Sequence, residues 1–108
     1  MQDQVNLQVL LNIVDFEMNI QEAIDAPMFQ IFDFPSSFAG HEAAPGRMAI
    51  ESRLPESVLE ELTQKGHRVR AASPWSMGDA TAARIDLDRG VMFGAAGPRR
   101  GKSYALAW

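Results

Sequence analysis

Cysteine is absent from these 108 residues, which excludes disulfide cross-links, thiolate metal ligands and a cysteine nucleophile, and fits a reducing compartment. Histidine occurs twice, at His41 and His67, too few for a histidine-based metal site. No apolar run approaches the roughly 18 residues that a membrane span needs. The first residues, MQDQVNLQ, lack the basic-then-apolar order of a secretion signal. No membrane partner is expected, and the compartment read from these residues is the cytoplasm. Internal repeats and low-complexity tracts are also missing. What is present is ordinary for a folded chain: 46% hydrophobic and 22% charged residues predict a buried core, and the length suits a single domain over 1–108.

The net charge of −4 hides an asymmetry. Residues 1–66 carry 11 acids against 3 bases, and residues 67–108 carry 3 acids against 7 bases, so the two parts should attract. The basic cluster Arg99, Arg100 and Lys102 has the composition of a phosphate or nucleic-acid patch. It stands beside few aromatics (Tyr104, Trp108) and in no nucleic-acid motif, so no nucleic-acid partner is expected.

Residues 4–18, QVNLQVLLNIVDFEM, put Val5, Val9, Ile13 and Phe16 on one helical stripe and Leu7, Leu10, Leu11 and Val14 on much of the remainder. A helix apolar on more than one side is sandwiched between layers or docked on something else. Asn19 with Glu22 three places on reads as a capping box opening a short helix that Pro27 stops. From Met28 to Gly46 the prolines, glycines and serines predict an irregular segment, with a short strand at 29–32 and with Phe29, Phe32, Phe34 and Phe38 as buried anchors. A strand is expected over 47–52. Pro55 then opens the helix PESVLEELTQK, with Val58, Leu59 and Leu62 facing inward, Lys65 in its last turn and Gly66 as its stop. Further strands are expected over 67–71, 81–87 and 91–95, the last two joined by Asp88-Arg89-Gly90 as a hairpin, and the terminal YALAW is a candidate for one more. Strands clustered after helices predict an α+β layered domain, helices packed on a mostly antiparallel sheet.

Residues placed for catalytic chemistry are few. Thr63 falls inside a helix and Thr81 inside a strand; Ser36, Ser37, Ser73 and Ser76 flank prolines in loops, and none sits in a G-x-S-x-G elbow. The carboxylate pairs Asp86/Asp88 and Glu60/Glu61 read as solvated faces. His67, after a helix-ending glycine, suits the negative end of that helix. Gly94, Gly97 and Gly101 do not form a phosphate loop. No catalytic, cofactor-binding or metal-binding residue is assigned, and no cofactor is expected.

Three segments carry a resemblance: MQDQVNLQVLLNIVDFEMNIQEAIDAP, ESRLPESVLEELTQKGHRV, and GVMFGAAGPRR with a terminal aromatic. Together they resemble the carboxy-terminal part of the gamma-glutamyltransferase family. The resemblance implies a partial N-terminal-nucleophile-hydrolase sandwich of αββα type. It implies a parent enzyme in which self-cleavage frees a threonine that attacks a gamma-glutamyl amide. It also implies that this threonine, the carboxylate-binding residues and the oxyanion glycines precede the segment matching Met1, so this chain alone is expected to be inactive. The alternative parent is a cephalosporin-acylase-like member of the same family, whose specificity pocket lies outside this segment, and a parent could be periplasmic. Relatives usually have arginine where this chain has Met28 and aspartate where it has Gly97; both departures remove a charge and suggest a lost ion pair or two lost polar tethers. The arginines of Pro98-Arg99-Arg100 are expected to tie the terminus to the acidic first half. The expected partner is either the missing amino-terminal portion or a second copy, a two-fold dimer burying one apolar stripe of the first helix.

Overall fold

In chain order the elements are α1 (Gln2–Val14), α2 (Ile20–Asp25), β1 (Phe29–Ile31), β2 (Arg47–Glu51), α3 (Glu56–Gln64), β3 (Arg68–Ala72), β4 (Thr81–Asp86) and β5 (Val91–Ala96). The structure is a computed structural model that describes residues 1–99, 101 and 103–106. It divides into two compact units, one formed by 1–26 with the segment from Gly78 onward, the other by Pro27–Met77. Mixed helices and small sheets give the α+β character expected from the order of the elements.

In the first unit, α1 buries Val5 and Val9 and half-buries Ile13, while Leu7, Leu10, Leu11 and Val14 stay exposed. One of its two apolar stripes is therefore core and the other is bare. The helix ends at Val14, earlier than the apolar pattern suggested. Glu17 takes a left-handed φ of 54°, and Met18 N–H returns to Asn12 O at 3.0 Å. Phe16 consequently lies past the helix, 68% exposed, and does not belong to the buried stripe.

α2 has only six residues, too few to persist without tertiary help. Its start is the expected capping box: Asn19 Oδ1 accepts from Gln21 and Glu22 N–H, and Glu22 Oε2 accepts from Asn19 N–H. Ile20, Ala23 and Ile24 are buried, and the Asn12 amide donates to Ala23 O, joining the two helices. The Gln21 amide donates to Ala96 O and accepts from Ala96 N–H, which fixes α2 to the end of β5. β4 and β5 pair antiparallel from Thr81↔Ala96 to Asp86↔Val91. Asp86 Oδ1 accepts from Asp88 and Arg89 N–H in the turn, and Gly90 supplies its φ of 65°.

In the second unit, β2 is central, antiparallel to β1 and parallel to β3, with α3 as the crossover. Among the described strands, β1–β2 and β4–β5 pair antiparallel, so the pairing is mostly antiparallel as expected, with β2–β3 the parallel pair. Central placement also buries Met48, Ala49, Ile50 and Glu51 in succession, in place of alternation. Pro55 is the residue before α3, one position outside the helix, and Val58, Leu59 and Leu62 are half-buried. The far end closes as the glycine stop requires: Gly66 at φ 97° donates to Thr63 O, and His67 N–H donates to Leu62 O.

The segment 32–46 is ordered differently from expectation. Phe34 and Phe38 are 76% and 81% exposed and anchor nothing within the unit. Polar bonds hold the segment instead: Gly46 N–H to Asp33 Oδ1 at 2.6 Å, Ser36 N–H to Glu42 O, and Ala44 N–H to Phe32 O. Phe32 keeps a ring contact, under the Arg47 guanidinium at 3.9 Å. At the carboxy terminus, Tyr104–Leu106 form no strand; Ala107 and Trp108 lie outside the described residues.

Candidate functional site

Several of the hydroxyls and imidazoles that could carry hydrolytic chemistry have local partners. Thr63 Oγ1 donates back to Leu59 O within α3, and Thr81 sits in the ladder opposite Ala96. Ser76 Oγ donates to Ser73 O, and Ser36 Oγ accepts from Phe38 N–H. His41 Nδ1 lies 2.8 Å from Ser36, but from its carbonyl oxygen, so no base faces that hydroxyl. His67 closes α3 through its backbone N–H. Glu60 and Glu61 are exposed; Lys65 bonds Glu61 at 2.6 Å, and that hydrogen bond, then its charge, holds the Glu61 carboxyl below its usual range. Among the described residues no group of three acidic or histidine side chains could hold a metal ion.

Two polar centres, neither singled out by the sequence, organise the units. The first is Glu51, fully buried at the end of β2. Its Oε1 accepts from Met77 N–H at 3.0 Å, and its Oε2 accepts from Met28 N–H at 3.3 Å and from Arg53 Nη2 at 2.7 Å. One carboxylate thus ties the beginning of β1, the end of β2 and the loop after β3. The Arg53 guanidinium stacks 3.5 Å from the Trp75 ring, and Trp75 has a left-handed φ of 57°. Glu51 followed two residues on by Arg53 resembles a solvated pair. The usable signal was its place directly after the apolar run Met48-Ala49-Ile50, where an unpaired charge is expensive.

The second centre is at the end of β5. Arg99, 9% exposed, donates from Nη1 to Ile24 O and from Nη2 to Ala26 O, both at 2.6 Å. The arginine ties the carboxy-terminal segment to the first half as expected, with two of its bonds made to the last carbonyls of α2. Arg100 and Lys102 lie outside the described residues. Gly97 is buried, and the carboxylate of Asp79 stands where a side chain at 97 would begin. Met28 is 2% exposed, a core position where its apolar side chain is at home.

The sequence profile of the gamma-glutamyltranspeptidase family matches residues 1–107. The chain belongs to this family. Its match to the Acylase ACY 1 proenzyme of Pseudomonas sp. strain V22 is 32% identical over 90 residues, 83% of this chain and 14% of the acylase. With the Glutathione hydrolase proenzyme of Escherichia coli strain K12 it is 29% identical over 93 residues, 86% of this chain and again 14% of the relative. Among solved structures, LmbA2991 superposes with a TM-score of 0.91 at 33% identity, covering 98% of this chain and 19% of that one. An acivicin-inhibited gamma-glutamyltranspeptidase, whose C-terminus has critical roles in autoprocessing and catalysis, superposes with a TM-score of 0.71 at 30% identity, covering 91% of this chain and 47% of that one. This gamma-glutamyltranspeptidase-family chain thus spans about a seventh of the curated relatives' length, a minor part of GGT- and acylase-type proteins.

Proposed function

We propose that this chain is the carboxy-terminal scaffold portion of a gamma-glutamyltranspeptidase- or acylase-type enzyme, supporting an acyl transfer whose nucleophile lies in another part of the enzyme. The observation that carries this reading is the family match over residues 1–107, combined with coverage of only 14% of the relatives' length. A nucleophile without an adjacent base and oxyanion donors stabilises no transition state, and the hydroxyls described above are committed to turns, a helix and a strand. The role reported for the C-terminus of one relative, in autoprocessing and catalysis, is the role proposed for this segment. The purified chain is expected not to hydrolyse a gamma-glutamyl anilide or a glutaryl amide. Joining it to the preceding portion of a relative is expected to restore processing and turnover. Turnover by the chain alone, abolished by changing one of its own side chains, overturns the reading.

A second reading is favoured by the bare apolar surface of α1: a self-associating module built on the same fold. Leu7, Leu10 and Val14 are each more than half exposed. Under this reading the chain forms a two-fold dimer through that stripe. A monomer at all concentrations in sedimentation equilibrium removes it.

A further inference from the structure

We propose that the free edge of β3, with the α3 groove beside it, docks an extended segment of a partner protein that adds to the sheet as a new edge strand. The backbone sets the site. β3 is the outer strand of the β1-β2-β3 sheet, parallel to β2 from Arg47↔Arg68 to Glu51↔Ala72. Arg68 N–H donates to Gly46 O at 2.7 Å, and Ala72 O accepts from Ser52 N–H at 3.0 Å, so both residues turn their backbone groups toward β2. Strand residues alternate in this respect: Arg70 joins them, and Val69 and Ala71 turn N–H and C=O the other way. No described residue takes up those outward groups, and Ala71 is exposed.

The side chains give that edge a groove and a charge pattern. Val69 lines a groove with Glu56, Leu59, Glu60 and Thr63 of α3. Leu59 and Val69 are half-buried and form its apolar floor, whereas Glu56 and Glu60 are exposed and form no ion pair among the described residues. Arg70 stands on the opposite face of β3, exposed, with Arg68, whose guanidinium donates to Pro45 O at 2.7 Å. An added strand therefore meets an apolar floor and acid on one face and base on the other. Its own side chains alternate, so the matching segment carries aliphatic and basic residues toward α3 and carboxylates toward Arg70. A second copy of β3 lacks that pattern: pairing its whole length antiparallel sets Arg70 opposite Arg70, a like-charge contact. Strand addition takes affinity from main-chain bonds and specificity from pockets for alternate side chains, and β3 offers both.

The test uses the full chain and the fluorescently labelled peptide EVEKEVEK, whose valines and lysines share one face when extended and whose glutamates share the other. Saturable binding, read by anisotropy, is expected. The charge-exchanged peptide KVKEKVKE should bind about tenfold more weakly, since its attractive contacts become like-charge ones. Two N-methylated forms of EVEKEVEK separate strand addition from filling of the groove alone, one methylated on the glutamate nitrogens and one on the remaining nitrogens. Alternate N–H groups of an added strand face β3, so one form should lose binding and the other keep it. Ala71→Pro removes an outward donor and no bond to β2, and should weaken binding about tenfold with an unchanged circular dichroism spectrum. Absence of saturable binding, equal binding of EVEKEVEK and KVKEKVKE, or equal binding of the two N-methylated forms overturns the proposal. Self-association of the chain that Ala71→Pro abolishes gives the edge to a second copy and overturns it as well. None of these readouts involves turnover, so the outcome is independent of the scaffold reading.

Discussion

At the scale of single residues, the second unit depends most on Glu51. A buried carboxylate is tolerated only when its charge and lone pairs are met, and this one meets a guanidinium and two backbone N–H groups. Glu51→Ala removes these acceptor contacts and leaves Met28 and Met77 N–H without this partner. The expected cost is about 3–5 kcal/mol, the range for breaking a buried ion pair, measured by urea unfolding. Glu51→Gln keeps the shape but turns one oxygen into a donor facing donors, so it should cost less than the alanine change and still more than 1 kcal/mol or so. A loss within about 0.5 kcal/mol for either variant, the level of an ordinary surface change, contradicts the proposed tie. Arg53→Lys should also be costly, because a lysine cannot stack flat on Trp75 while reaching Glu51.

At the scale of elements, what the sequence made legible was whatever rests on neighbouring residues. Asn19 and Glu22 state a capping box by spacing alone, Gly66 states a helix stop, and Asp86 through Gly90 state a hairpin turn; all three are found. The elements whose reading failed depend on distant partners. The strand-like YALAW segment gives no strand over Tyr104–Leu106; Ala105 instead lies against Gly94, and the preceding Ser103 bonds Asp79. Phe34 and Phe38 look like anchors by composition but stay exposed because carbonyls and Asp33 already order their loop. The polar centres were illegible for the same reason: Glu51 and Asp79 also bond residues about 25 positions away. For α2, held by both a local box and a distant arginine, the two kinds of support are separable. Asn19→Ala should cost about 1 kcal/mol, the usual worth of an N-cap. Arg99→Ala should cost more, since it strips charge-assisted donors from two carbonyls at a buried site. Thermal melts of the two variants, in the order reversed from this, contradict the assignment of Arg99 as the stronger support.

At the scale of the whole molecule, α1 is decisive, because its two apolar stripes have opposite fates. Val5 and Val9 are 2% and 8% exposed, whereas Leu10 and Val14 are 55% and 63% exposed. Apolar surface gains about 25 cal/mol for each Å² removed from water, so a row of bare leucines on one helix is a standing drive to associate. Charge placed on each stripe should therefore act on different equilibria. Val9→Glu introduces an unpaired charge into the core and should unfold the first unit, seen as lost helicity and a lowered melting temperature. Leu10→Glu with Val14→Glu should leave helicity and melting within the small range of surface changes, while abolishing concentration-dependent mass in sedimentation and, if the remainder of a relative is supplied, its recruitment. The two assays also separate the readings of function: a bare stripe that recruits only the remainder of the enzyme supports the scaffold role, and one that recruits only another copy supports the module. If the doubly charged variant unfolds like Val9→Glu, the outer stripe is core after all and neither association follows.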